Sequence, residues 1–302
     1  MEITKNNFQD YLNPALISKI NSIEMKARFV VEGFMVGLHR SPYHGFSVEF
    51  SQHRPYMQGD SPKDIDWKVY GKTEKFFIKQ YEEETNLRCY ILLDISKSMS
   101  YGSSESVKKI EYAKTLAASL SYLMIKQQDA VGITLYSDKI VKSLPPKSTN
   151  TYLREVLISI SLAEPSDRTN TAECLSQIAE KISKRGLVIV ISDLFDEPNS
   201  VVNALKHFRY KKNEVIVFQI LDPIERNFSF NKDSIFKDLE TGEEITVQPY
   251  QIQKAYKESM REFISKIKSS CLNANIEFNL LDTSTPFDKA LFSYINKRQS
   301  LY

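Results

Sequence analysis

The stretch CYILLDISKS, residues 89–98, decides the fold because it joins a strand pattern to a polar loop. Its first five residues are apolar, Asp94 follows them, and Ser96 and Ser98 come next at alternate positions. Near-continuous apolar runs of this length are typical of strands buried on both faces of a sheet. The stretch therefore predicts a buried strand that ends in one carboxylate and two hydroxyls.

Four more apolar runs share this pattern and also end in aspartate: residues 130–138, 187–193, 214–222 and 276–282. Stretches of helical length and spacing separate them: residues 108–128, 151–161, 172–184, 201–208 and 286–296. Such alternation predicts βαβ units, which form a mostly parallel sheet with helices on both faces. The predicted fold class is therefore α/β.

Two segments fall outside this alternation, and they set the predicted domain organisation. Residues 1–86 are predicted to form an N-terminal elaboration, and residues 87–302 the α/β domain. The elaboration is expected to contain a helix at 14–31, strands at 45–50, 64–70 and 75–82, and a hairpin turn at 71–74. Within the second domain, a β-hairpin insertion is expected near 235–247, followed by a long helix at 249–271.

Composition limits the class of protein. The 302 residues carry a net charge of only +2, without the dense basic stripe of a nucleic-acid-binding protein. The lysine pairs at 108–109 and 211–212 are predicted to lie on solvated helix faces. Three distant cysteines predict buried thiols in a reducing compartment. Without a signal pattern or a membrane-length apolar stretch, we expect a cytoplasmic protein with no membrane insertion.

Oxygen-bearing side chains follow three of the predicted strands or their loops, and together they indicate a metal site. The first loop offers Asp94, Ser96 and Ser98, the segment DRTNT offers Thr169, and the run LVIVISD ends at Asp193. Ligands of open α/β sheets bind beyond the carboxyl ends of the strands. Carboxylate and hydroxyl oxygens favour Mg²⁺, Mn²⁺ or Ca²⁺ over Zn²⁺. Because hydroxyls are neutral, the cation would still attract an outside carboxylate.

The aspartates that end strands also have a simpler interpretation. Aspartate commonly caps turns and helix N-termini. We assign Asp138, Asp222 and Asp282 to that role, and the serines of the first loop could likewise cap a helix.

The motifs DISKS, RTNT and ISD, in this order, resemble the metal-ion-dependent adhesion site of von Willebrand factor type A domains. The resemblance implies a Rossmann-like, mostly parallel sheet with one divalent cation at its top. It implies that the cation is held by five residues: Asp94, Ser96, Ser98, Thr169 and Asp193. It also implies that an acidic residue of a partner protein completes the ligand shell.

The flanking segment, residues 37–86, and the stretch DLETGEEITV resemble a bacterial family of unknown function with a von Willebrand A-like domain. Members are often encoded beside MoxR-type AAA+ ATPases, so the resemblance implies a non-enzymatic accessory factor of such an ATPase. Lys63 and Lys72 stand where the family usually has arginine, which removes bidentate carboxylate contacts there. Arg54 and Asp66 are expected to form a structural ion pair, and Trp67 to pack inward on a strand.

Two other function classes remain open from the residues. Asp94 could be the nucleophile of a Mg²⁺-dependent phosphohydrolase, although Ser96 stands where such enzymes usually carry a second aspartate. Alternatively, the protein could be a structural scaffold with a vestigial metal site. The chain has no GxxxxGK[ST] motif that would bind ATP, and its clustered histidines lack metal-ligand spacing.

Overall fold

The structure is a computed structural model that describes residues 12–40, 53–56, 65, 67–79, 87–103, 106–165, 170–230, 234–237, 244–247 and 249–300. The chain divides into two compact units, residues 1–37 with 87–302, and residues 38–86. The described helices are α1 (Pro14–Ile17), α2 (Ile23–Arg40), α3 (Trp67–Thr73), α4 (Lys109–Lys126), α5 (Asn150–Ser161), α6 (Thr171–Lys181), α7 (Pro198–Tyr210), α8 (Pro223–Asn227), α9 (Pro249–Asn273) and α10 (Asp288–Gln299). The described strands are β1 (His53–Pro55), β2 (Phe77–Lys79), β3 (Arg88–Asp94), β4 (Ala130–Tyr136), β5 (Ile140–Lys147), β6 (Leu187–Ser192), β7 (Glu214–Leu221), β8 (Ser234–Lys237), β9 (Glu244–Val247) and β10 (Glu277–Asp282).

The larger unit is built on a six-stranded sheet in the order β10-β7-β6-β3-β4-β5. Every neighbouring pair is parallel except β4 with β5, which run antiparallel. The α/β fold class with a mostly parallel sheet is therefore confirmed.

Burial on both faces explains why these apolar runs form the central strands. Leu92, Val188 and Val217 point to one face and join a cluster with residues of α6, α7 and α9. Strand side chains alternate between faces, so Ile91 and Ile189 point to the other one, where α4 contacts β3, β6 and β7. Helices thus cover both faces, and the carboxyl ends of β3, β6 and β7 share one edge.

Most predicted elements occur within a few residues of their expected bounds. Helices α4, α5, α6, α7, α9 and α10 occupy the predicted stretches, and β8 pairs with β9 as the expected antiparallel hairpin. All three cysteines are buried free thiols, as predicted. The predicted helix at 14–31 is instead two helices, α1 and α2, separated by residues 18–22.

Strand β5 was not predicted. Its sequence IVKSLPPK is polar and contains Pro145 and Pro146, which cannot donate hydrogen bonds to a sheet ladder. Both prolines are tolerated because β5 is an edge strand with irregular register against β4. The backbones of β4 and β5 approach closely there, since a Cβ on Gly132 would lie 2.5 Å from the Leu144 carbonyl oxygen.

The smaller unit corrects another prediction. Residues 64–70 were expected to form a strand with Trp67 packed inward, but α3 begins at Trp67, whose exposed fraction is 60%. Tyr70 lies one helical turn later and stacks on Phe76 with 4.4 Å between ring centroids. The alternation of Ile65, Trp67 and Val69 with the residues between them was too short to distinguish a strand from a helix. Residues 71–73 lie in α3, so the hairpin turn predicted at 71–74 is wrong, and β2 pairs with β1.

Several predictions for the N-terminal region fall outside the described residues. These are the strand at 45–50, the side chains of the expected Arg54–Asp66 ion pair, and the position of Lys63.

Candidate functional site

Asp94 lies at the carboxyl end of β3 and is fully buried. Its Oδ1 atom accepts a hydrogen bond of 2.8 Å from the backbone N–H of Ser96, which turns the chain just beyond the strand. Its Oδ2 atom accepts hydrogen bonds from the hydroxyls of Ser192, at 2.5 Å, and Thr171, at 3.5 Å. Three segments therefore fix the carboxylate in place.

Ser96 and Ser98 present their hydroxyls to each other immediately after this turn. Ser96 is buried, Ser98 is half-buried, and their Oγ atoms are 3.0 Å apart. A short 3₁₀ helix, Lys97–Ser100, holds the loop. Two neighbouring ligands of an octahedral Mg²⁺, each at about 2.1 Å from the ion, lie about 3.0 Å from each other. The two hydroxyls share a hydrogen bond at this spacing, and the same spacing suits two ligands of one small cation.

Asp193 follows the last residue of β6 at the same edge and is also fully buried. Its Oδ1 atom accepts a hydrogen bond of 3.2 Å from the Phe195 N–H, and its carbonyl accepts one of 2.9 Å from the Gln219 side chain. Gln219 is fully buried, and its Oε1 atom has no partner within the described part of the chain.

The fifth predicted ligand, Thr169, lies outside the described residues. The structure instead brings Thr171, the first residue of α6, to the Asp94 carboxylate. Sequence reasoning did not assign Thr171 a role. The signal was its position in RTNT, two residues after Thr169 in the same polar motif.

Lys109 contradicts the prediction of a solvated helix face. Lys108 is exposed, but Lys109 is fully buried, and its ammonium donates to Asp193 Oδ2 and to Glu225 Oε1, both at 2.8 Å. The signal for its burial was its spacing, because Lys109 lies four positions before the buried Ala113 on the apolar face of α4.

Burial and like charge oppose ionisation at this edge. Burial and then the nearby Asp193 carboxylate raise the pKa of Asp94 to about 7. Burial raises the pKa of Glu225 as well, although Lys109 acts in the opposite direction. For Lys109, burial lowers the pKa, but the two carboxylates outweigh it and the pKa rises. One ammonium therefore contacts two of the three carboxylates at this edge.

The donor set fits a hard divalent cation. It consists of oxygen atoms only, and the spacing of the hydroxyls matches octahedral coordination. Its two carboxylates, Asp94 and Asp193, are fully buried and lack enough positive charge to balance them. Across the described ranges, no group of three or more histidine, cysteine, aspartate or glutamate side chains could hold a metal ion. A cation here would take hydroxyl ligands.

The other strand-end aspartates have partners of their own. Asp222 caps α8 by accepting a hydrogen bond from the Ile224 N–H, and Glu225 closes the capping box, as the interpretation of helix capping predicts. Asp282 forms an ion pair of 2.8 Å with Arg226.

Residues 52–264 match the protein family described as "Protein of unknown function DUF58". The chain belongs to this family. The uncharacterized proteins Rv1480 of Mycobacterium tuberculosis and Mb1516 of Mycobacterium bovis are each 22% identical to it over 245 residues. These matches cover 80% of this chain and 76% of each relative.

The fold is similar to a crystal structure of the conserved hypothetical protein BatB from Bacteroides thetaiotaomicron, with a TM-score of 0.50 and 20% identity. The match covers 71% of this chain and 99% of BatB. At this identity, the likeness establishes the fold alone. Of the helices in the described ranges, none combines the length and the apolar character needed to cross a membrane.

Proposed function

We propose that this DUF58 protein is a non-enzymatic, metal-dependent protein-interaction module. One divalent cation, Mg²⁺ in the first instance, would be held by five residues: Asp94, Ser96, Ser98, Thr169 and Asp193. The observation that carries the proposal is the pair of serine hydroxyls, 3.0 Å apart, beside the buried Asp94 carboxylate. This arrangement occurs at the carboxyl edge of the sheet, where open α/β sheets bind ligands.

The chemistry of the site favours an acidic partner. When bound, the cation supplies an open coordination position for an outside oxygen ligand. Ser96 and Ser98 contribute no negative charge, and the Asp94 carboxylate is shared with the Ser96 N–H and two hydroxyl donors. The serine ligands thus add no negative charge around a bound cation, and a partner's aspartate or glutamate would fill its open coordination position.

The buried part of the site acts by holding its ligands still. The Ser192 hydroxyl donates to Asp94 Oδ2 and accepts a 2.9 Å hydrogen bond from the Leu194 N–H, which ties the Asp94 carboxylate to the β6 loop. A preorganised ligand set lowers the entropic penalty when a partner binds. The partner we propose is a MoxR-type AAA+ ATPase, because the flanking sequence resembles proteins encoded beside such ATPases.

Titration calorimetry of Mg²⁺ and Mn²⁺ into metal-free protein tests the metal site. We expect one saturable site in the wild type, and its loss in Ser96→Ala/Ser98→Ala. The matched control is Ser269→Ala/Ser300→Ala, which removes two exposed hydroxyls bonded only to carbonyls of their own helices. Equal binding by both double variants would contradict the proposal.

Capture by an immobilised, purified MoxR-type ATPase tests the interaction. Retention should require Mg²⁺, should be abolished by a chelator, and should be lost in Ser96→Ala/Ser98→Ala but not in the control. Retention that is unchanged by the chelator would contradict a metal-mediated contact. Hydrolysis of a generic phosphate ester by the wild type, lost in Asp94→Asn, would instead favour a phosphohydrolase.

A further inference from the structure

The buried ammonium of Lys109 is the feature that the proposed function does not use. It bridges Asp193 and Glu225 at 2.8 Å each, and its side chain has no exposed surface. The rings of Phe195 and Tyr101 lie 4.8 and 5.8 Å from the ammonium, measured to their centroids. Two carboxylates and two aromatic rings therefore hold the lysine side chain in the interior, and it does not extend into solvent.

This ammonium occupies one oxygen of a proposed metal ligand. Asp193 Oδ2 accepts from Lys109, and Asp193 Oδ1 accepts from the Phe195 N–H. A divalent cation that used Asp193 would share the carboxylate with a fixed positive charge only a few ångströms away. Two cations on one carboxylate repel each other, and the low dielectric of a buried site strengthens this repulsion.

Glu225 keeps the ammonium in place. Its Oε2 atom accepts a 3.1 Å hydrogen bond from the Asp222 N–H, while its Oε1 atom accepts from Lys109. Asp222 in turn accepts hydrogen bonds of 3.0 Å from both the N–H and the hydroxyl of Ser103, in the segment after the DISKS motif. The same cluster therefore ties together the ends of β6 and β7 and the segment that follows the serine loop.

We infer that Lys109 is a built-in counter-cation that weakens divalent-metal binding and makes the loaded site depend on an outside carboxylate. The inference deepens the proposed function and rests on it. Asp94, Asp193 and Glu225 carry three negative charges when ionised, and Lys109 reduces the net charge to −2. A bound divalent cation then brings the cluster to neutrality. Without the ammonium the loaded cluster would stay negative and repel a partner's carboxylate.

Lys109 is thus a positioning residue, and two readouts distinguish it from a merely structural one. The first is the affinity for Mn²⁺ alone. The second is the change in that affinity when acetate replaces chloride at constant ionic strength, because acetate stands in for the partner's carboxylate.

The experiment compares Lys109→Met with the wild type by calorimetry. Lys109→Met should bind Mn²⁺ at least about tenfold more tightly, since it removes a positive charge that lies a few ångströms from the metal site. Its affinity should respond less to acetate than that of the wild type. Lys109→Met/Glu225→Gln restores the charge balance and should return both readouts toward wild-type values. The control Lys114→Met, on the same helix, should change neither.

Glu225→Gln provides the test with the opposite sign, and it decides the matter if Lys109→Met fails to fold. The full charge of Lys109 then bears on Asp193, so Mn²⁺ should bind about tenfold more weakly and acetate should help more than in the wild type. Unchanged Mn²⁺ affinity in a folded Lys109→Met or in Glu225→Gln overturns the inference.

Failure of the inference and failure of the proposed function give different patterns. If the wild type and Lys109→Met bind Mn²⁺ equally, the inference falls and the proposed metal site stands. If only Lys109→Met binds, the inference stands and the wild-type function falls. If no variant binds, both fall.

Discussion

The two edges of the central sheet each bury aspartate, but they treat its charge differently. At the amino edge, Asp129 immediately precedes β4 and has an exposed fraction of 1%. Its Oδ2 atom accepts from Arg298 Nε at 2.7 Å and from the Tyr294 hydroxyl at 3.0 Å. Its Oδ1 atom accepts from Arg298 and from the Leu87 N–H, both at 3.2 Å. One guanidinium balances one carboxylate.

At the carboxyl edge the balance is missing. Asp193 and Glu225 share a single ammonium, and burial with the like charge of Asp193 raises the pKa of the neighbouring Asp94 to about 7. The carboxylate of the first edge is matched by one cation, whereas the second edge has more carboxylates than cations, which is where we propose that a metal binds. Residual charge in a buried cluster is typical of functional sites.

The largest expected effect comes from breaking the Asp129–Arg298 pair at the amino edge of the sheet. Asp129→Asn leaves Arg298 without its carboxylate partner, so we expect a loss of about 3 kcal/mol in the free energy of unfolding. Urea denaturation measures this loss, and Mn²⁺ affinity should stay unchanged. Glu258→Gln, an exposed change on α9, should have almost no effect. A loss of metal binding in folded Asp129→Asn would show that the two edges are not independent.

The next effect concerns the unbalanced edge, where stability and binding should separate. Asp94→Asn removes a charge that burial and Asp193 oppose, so metal-free protein at pH 8 should be as stable as the wild type or about 1 kcal/mol more stable. Its Mg²⁺ affinity should fall by more than the roughly 10- to 100-fold expected for loss of an outer-shell partner. Destabilisation as large as in Asp129→Asn would count against a functional role for Asp94.

The smallest expected effect is the pH dependence of the contribution that Glu214 makes to stability. Glu214, at the start of β7, forms ion pairs with Arg209, at 2.6 Å, and Lys297, at 2.8 Å. Burial raises its pKa, but hydrogen bonds from these two cations outweigh burial and the net shift is downward. Its stabilising contribution is therefore present above the ordinary glutamate pKa and is lost as pH falls through the lowered value.

Glu214→Gln tests that sign. Because all three side chains are about a quarter exposed or less, the substitution should cost about 1 kcal/mol near pH 7. Denaturation curves near pH 3 should show almost no difference between the variant and the wild type. A difference that grows as pH falls would contradict a lowered pKa for Glu214.

The sequence could predict features set by local pattern. The buried strands follow from runs of valine and isoleucine, and Asp94, Ser96, Ser98 and Asp193 were placed at one edge because parallel strands end together. Thr169 remains a prediction, since it lies outside the described residues.

What could not be predicted depends on distant partners or on context. Lys109 and Glu225 are 116 positions apart, and nothing in either local sequence indicates that they meet. The prolines of β5 argue against a strand unless it is known to lie at an edge. Trp67 lies on a helix because packing, rather than a short alternation, decides such segments.

The most direct test of the central claim is anomalous diffraction from crystals of the protein soaked in Mn²⁺. The account predicts one manganese peak at the carboxyl edge, within coordination distance of the Oγ atoms of both Ser96 and Ser98, with the Lys109 ammonium still on Asp193. A fully substituted crystal with no peak at that edge, or with a peak only between Asp193 and Glu225 in place of the ammonium, would contradict it.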